Sequence, residues 1–116
     1  MIEAIVLNYL IGCGINGVGS NVFAEVPVNP PTEYIVIEKT ASGEDNKIHS
    51  AMIAVQSYSK TSLLTAASIN KAVVDAMEVM AETVAEVYSS KLNTDYNFTD
   101  PDTKEYRYQA VFNLYY

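Results

Sequence analysis

Residues 106–116 constrain the fold of this chain more than any other stretch. Tyr106, Tyr108, Ala110, Phe112, Leu114 and Tyr116 share one parity, and Arg107, Gln109, Val111, Asn113 and Tyr115 share the other. Alternation with a period of two is the mark of a strand with one face on a core and one amphipathic face. Eleven such residues are long against the usual strand of about 5–6. An outer face that is half apolar needs something to cover it. The even parity is therefore expected in the core. The odd parity, Arg107, Gln109, Val111, Asn113 and Tyr115, is expected at a contact between subunits, with Tyr115 and Val111 at its centre.

At 116 residues the chain has the size of one domain, expected to span 1–116, and can bury a single core without staples. Nearly half the residues, 49%, are apolar, which excludes intrinsic disorder. The net charge of −7 speaks against binding nucleic acid through phosphate neutralisation, since the seven basic residues do not cluster. It also leaves no basic helix for a membrane surface. The lone cysteine, Cys13, can form no internal disulfide, and the apolar run Ala4-Ile5-Val6-Leu7 follows Glu3 rather than a basic segment. The expectation is a chain without leader or membrane span, made in a reducing cytoplasm.

Ile2, Val6, Tyr9 and Leu10 are spaced as one face of a helix over residues 2–11, with Gly12 as its stop, although the apolar density there also permits a strand. Residues 12–20 carry four glycines and read as irregular, and residues 22–27 read as a short strand before a stiff run containing Pro27, Pro30 and Pro31. Residues 34–40 and 48–58 are strands apolar on both faces, hence central, joined as a hairpin by a seven-residue polar turn over 41–47. From Thr61 the period changes to 3.6. Ala66, Ile69, Val73, Ala76 or Met77, and Met80 form the stripe of a helix of about twenty residues, capped by Thr61 or Ser62. Residues 91–99 return to strand, with Leu92, Thr94, Tyr96 and Phe98 on one side. The turn Asp100-Pro101-Asp102-Thr103 then joins that strand to the last one as an antiparallel hairpin. The fold class is α+β: an antiparallel-dominated mixed sheet with two helices packed on one face.

Chemical motifs are few. Gly12-Cys13-Gly14-Ile15-Asn16-Gly17 matches the dinucleotide fingerprint, yet only Val18-Gly19-Ser20-Asn21-Val22-Phe23 and then prolines follow it. No helix has room to present its N-terminus to a pyrophosphate, so the match is read as a loop and no cofactor is expected. Cys13 as a nucleophile would need His49, the only histidine, as its base, and nothing in the sequence joins them. One cysteine and one histidine fall short of a structural metal site, and Asp95, Asp100 and Asp102 read as turn formers. Glu78, Glu82 and Glu86 recur every four residues as a solvated helix face, or as a surface for a neighbour's lysines.

Three segments carry a resemblance: Val26-Pro27 through Glu33-Tyr34-Ile35-Val36-Ile37-Glu38, Lys91-Leu92-Asn93-Thr94-Asp95-Tyr96-Asn97-Phe98-Thr99-Asp100, and Tyr106-Arg107-Tyr108-Gln109-Ala110-Val111-Phe112. In order, length and strand pattern, the chain from about Val26 onward resembles small tailed-phage proteins of Gram-positive hosts. These are the tail-completion, tail-terminator and head–tail joining proteins of phages and prophages. The resemblance implies a structural virion protein without an active site that forms a ring, commonly a hexamer. Such a ring caps the tail tube and joins it to the head connector, at the neck or tail end of the virion after assembly in the host cytoplasm. DNA would pass through without specific binding, and an acidic lining suits that passage. Ring symmetry requires one patch to meet a different patch on the next copy. The competing function is a small cytoplasmic interaction or regulatory module that dimerises through its C-terminal strand.

Overall fold

The computed structural model describes every residue of the chain except Asn46 and Lys104. Five strands form one sheet in the order β1-β2-β3-β5-β4, with three helices on one of its faces. The expected α+β class is observed: β2/β3, β3/β5 and β4/β5 pair antiparallel, and the two-residue β1 pairs parallel with β2.

Helix α1 (Ile2–Cys13) puts Ile2, Val6 and Leu10 against the sheet, as the spacing predicts. It runs past Gly12 and ends instead at Gly14, whose left-handed backbone (φ 59°, ψ 49°) closes the helix with an N–H bond to the Ile11 carbonyl. Glycine adopts that conformation without the Cβ clash that other residues meet, so the stop falls where the geometry needs it. The glycine-rich passage beyond is a chain of turns pinned by two buried side chains, Ile15 and Val18. The short strand expected over 22–27 shrinks to β1 (Val22–Phe23), because only these residues reach Ile35 and Val36.

Strand β3 (Ile48–Ser59) is interior in the sheet, as its two apolar faces require, whereas β2 (Glu33–Asp45) is flanked on its outer side only by the two-residue β1, at Ile35 and Val36. The seven-residue turn between them is corrected. Residues 41–45 continue β2 and pair with Ile48 through Met52, after a bulge at Thr40 shifts the register between Lys39 and Ala41. Small and polar side chains pair well enough where both faces are wet, which hydropathy alone does not reveal. Lys47 takes a positive φ of 67°, and Asn46, also assigned to that turn, lies outside the described residues.

Helix α2 (Leu63–Glu78) is capped by Ser62, whose hydroxyl accepts the Thr65 N–H at 3.1 Å. It is shorter than the twenty residues expected. The backbone leaves helical geometry at Val79 and resumes as α3 (Met80–Thr83), which keeps Met80 in the core while the chain turns towards β4. Tyr9 of α1 donates its hydroxyl to the Ala76 carbonyl of α2 at 2.6 Å, joining the two helices.

Strands β4 (Ser89–Asn97) and β5 (Tyr106–Tyr115) form the expected hairpin. A register shift between Leu92 and Thr94 corrects the side assignment in β4. Leu92 lies opposite Phe112 on the helix-covered face, whereas Thr94 and Tyr96 lie opposite Val111 and Gln109 on the other. β5 sits between β3 and β4, so its backbone is hydrogen-bonded on both edges. Dimerisation by adding a strand to β5 therefore has no free edge to use.

The main core lies between helices and sheet. Ile35, Ile37, Ile53, Val55, Phe112 and Leu114 meet Val6, Leu10, Ile69, Val73, Met77 and Met80, and each fully buried large side chain there contributes about 1.5–3 kcal/mol. The even parity of β5 supplies Ala110, Phe112 and Leu114 to this core, with Tyr116 packed against it, whereas Tyr106 and Tyr108, also expected there, stay half-buried outside it.

Candidate assembly face

The opposite face of the sheet has no helix on it. It carries a second, smaller cluster built from the sheet itself: Tyr34, Val36 and Tyr58 are buried, with Phe23 packed against them. Phe23 meets Tyr34 edge-on at 6.3 Å, and Tyr34 stacks on Tyr58 at 4.5 Å. The guanidinium carbon of Arg107 lies 5.8 Å from the Tyr58 ring and 4.4 Å from the Phe98 ring. Phe98 in turn meets Tyr96 edge-on at 5.9 Å. One row of rings and a cation thus crosses the sheet from β1 to β4, and aromatic and cation–π contacts of this kind favour such a row beyond the area they bury.

A hydrogen-bond chain runs beside it. Tyr58 donates to Gln56 Oε1 at 3.0 Å, Gln56 Nε2 donates to Gln109 Oε1 at 2.9 Å, and Gln109 Nε2 donates to the Tyr96 hydroxyl. The outermost rings stay partly wet: Tyr96 is 41% exposed and Phe98 40%. Tyr34 is fully buried, and its hydroxyl has no hydrogen-bond partner among the described residues. Burial, with smaller contributions from Glu105 and Tyr58 against Arg107, pushes that hydroxyl up to about 12.

All five residues of the odd parity of β5 lie on this helix-free face. Arg107 and Gln109 are engaged within the chain: Arg107 Nε donates to the Phe98 carbonyl, and Gln109 belongs to the chain just described. Val111 lies between Ala54 and Thr94 and is 9% exposed, and Asn113 lies between Met52 and Lys91. Tyr115, 45% exposed, lies at the rim of a shallow depression of about 200 Å³ whose lining includes Ala41, Gly43, Ser50, Met52 and Asn113. Ile48, 44% exposed, adds a further apolar side chain at the same end of the sheet. The face thus divides into an aromatic end that covers itself and an end near the β2/β3 turn that is open.

Sequence reasoning reached β5 but missed its neighbours on this face, Tyr34, Gln56, Tyr58 and Met52. Their parity was readable, yet which parity of β2 and β3 lies opposite the helices depends on pairing with β5.

The remaining candidates separate. The residues matching the dinucleotide fingerprint end a helix rather than begin one. Cys13 is exposed beside Tyr9, whose hydroxyl is pushed up first by burial and then by that thiol. His49 faces Glu44 at 3.5 Å and the Tyr116 ring at 5.7 Å, so the neighbours of these two residues differ. Glu78, Glu82 and Glu86 are exposed, the last beyond the helix. Asp95 is held by Asn70 at 2.9 Å, and Asp100 accepts the Asp102 N–H in the β4/β5 turn. Among the described residues no group of three or more His, Cys, Asp or Glu could hold a metal ion, and no helix is long and apolar enough to cross a membrane.

No family model matches the chain, and no curated protein matches it. Among solved structures, the chain is similar to a chain in the virion of a native gene transfer agent particle. The TM-score is 0.72 over 98% of this chain and 92% of that one, at 17% identity. At that identity the likeness is one of fold: the same α+β sheet-and-helix arrangement, spanning nearly the whole of both chains, builds a component of a virion.

Proposed function

We propose that this protein is a structural component of a phage-like virion, acting as one domain, and that it is not an enzyme. Its place is the neck or tail end, as a tail-terminator, tail-completion or head–tail joining subunit in a ring, commonly a hexamer. The observation that carries this reading is the helix-free sheet face, open at the end bearing Tyr115 and Ile48, in a fold shared with a virion component. A subunit that works alone covers its sheet with helices or strands on both faces or keeps the outer face polar. Here one face keeps tyrosine, phenylalanine and isoleucine in water.

Arg107, Gln109, Val111, Asn113 and Tyr115 belong to the contact surface that assembly covers. The first two hold the sheet's own surface in shape, Val111 is buried beneath that surface, and Asn113 and Tyr115 are available to a neighbour. The partners are further copies of the chain, the tail tube protein and the head connector. The acidic balance suits a ring through which DNA passes without being gripped.

The test is electron microscopy of particles made without this protein. Heads and tails left unjoined, or tails of uncontrolled length, are expected, and normal complete particles would overturn the reading.

A further inference from the structure

Both edges of the sheet expose backbone with no partner strand among the described residues, over similar lengths. β1 pairs with β2 only at Ile35 and Val36, with the Ile37 N–H on the Phe23 carbonyl, so residues 38–45 have no strand on that side among the described residues. At the other edge, β4 presents nine residues, Ser89–Asn97, with β5 on one side and no strand on the other.

The direction of the free groups follows from recorded bonds. The N–H of Ile35 reaches the Asn21 carbonyl at 2.9 Å, strand alternation gives the Ile37 N–H to Phe23 of β1, and Lys39 is the next to face the same side, beyond β1. Across the bulge, His49 exchanges both backbone bonds with Tyr116 on β5. Its neighbour Ser50 therefore bonds Gly43 on β2, which leaves Ser42 and Glu44 pointing outward. On β4 the Phe98 N–H bonds the Arg107 carbonyl at 2.8 Å, so Asn97 and Asp95 point outward. Exposed edges invite another strand, and proteins that do not use them shorten, cover or blunt them. A bulge is one such device, and each edge carries one, at Thr40 and before Thr94; neither carries a proline, and each stays open on the far side of its bulge.

We infer that a second copy of this chain occupies these edges: the β4 edge of one subunit pairs with the free part of β2 of the next. The two edges lie on opposite sides of one sheet, so the contact is heterologous. It repeats from copy to copy and can close into a ring. Pairing of this kind joins the open sheet faces of successive subunits into one continuous surface. The inference rests on the proposed assembly function and adds to it the lateral contact between copies.

Proline at an outward-pointing position removes one edge donor without touching the internal ladder. Ser42→Pro should disable the β2 edge and Asn97→Pro the β4 edge. Circular dichroism checks that each variant retains its fold, and hydrogen exchange of the edge amides in the unsubstituted protein decides the matter where either proline fails to fold. The readouts are mass photometry of the full chain and amide hydrogen exchange. Unsubstituted protein should form a ring in which the amides of Ser42, Glu44, Asp95 and Asn97 are protected. Each proline variant alone should self-associate at least about tenfold more weakly. The two mixed should stop at heterodimers, because each keeps the edge the other lacks. A ring whose edge amides exchange freely, or which forms from either proline variant alone, would overturn the inference and leave the assembly function standing. Particles that assemble normally without the protein would remove the function itself.

Discussion

Tyr34 and Tyr58 lie face to face on the helix-free side of the sheet, ring centroids 4.5 Å apart and planes 3° from parallel. They come from paired positions of β2 and β3, and they are the centre of the row that runs from Phe23 to Phe98. Tyr34 supplies its ring to that packing, while its hydroxyl is buried with no partner among the described residues.

Ring and hydroxyl should therefore separate on mutation. Tyr34→Phe keeps the stack and removes an unbonded polar group, so urea unfolding should show stability unchanged or slightly raised. Tyr34→Ala removes the ring and should cost about 3–5 kcal/mol.

The same hydroxyl makes an alkaline prediction. Its folded pKa, about 12, lies above the unfolded value of 10.0, so the native state favours the neutral form. That contribution is complete below about pH 10 and is lost as pH rises towards about 12. Unfolding followed across that window should steepen for the unsubstituted chain, and Tyr34→Phe should flatten it. Identical profiles would contradict the burial of this group.

Asn70 is buried at 4% exposure on α2 and donates to Asp95 of β4 at 2.9 Å. Asn70→Asp would set a buried carboxylate against that of Asp95, which is itself exposed. The expected loss is about 2–4 kcal/mol at neutral pH, shrinking as pH falls through the carboxylate range and one group takes a proton. Chemical denaturation at pH 7 and pH 4 checks both parts.

Two helix ends offer smaller, local predictions. Ser62→Ala removes the hydroxyl that accepts the Thr65 N–H and should cost about 1 kcal/mol. Gly14→Ala meets no atom within 4 Å of the added Cβ, so any loss measures the positive φ of 59° alone, about 1 kcal/mol. A loss well above 2 kcal/mol at Gly14 would point to a contact rather than to backbone strain.

Contact on the open face is tested by Tyr115→Asp. The residue is 45% exposed, so the fold should change by no more than about 0.5 kcal/mol while association into larger species is weakened. Equal loss of stability and association would mean that Tyr115 serves the fold and not the assembly.

Periodicity and composition determined the local elements: the core parity of β5 from Ala110 to Leu114, the stripe of α2 with its cap at Thr61 or Ser62, the core face of α1, and the β4/β5 hairpin. Those signals depend on side chains a few residues apart, and the sequence holds them in full. Tertiary structure decided what depends on distant pairing. β5 inserts between β3 and β4, and two bulges reset which side chains share a face. β2 extends through a polar segment because β3 lies beside it, and Tyr34 comes to stack on Tyr58 across two strands. Backbone bonding between strands carries no residue signature of its own. The open face and the two free edges therefore became visible only once the strands were in order.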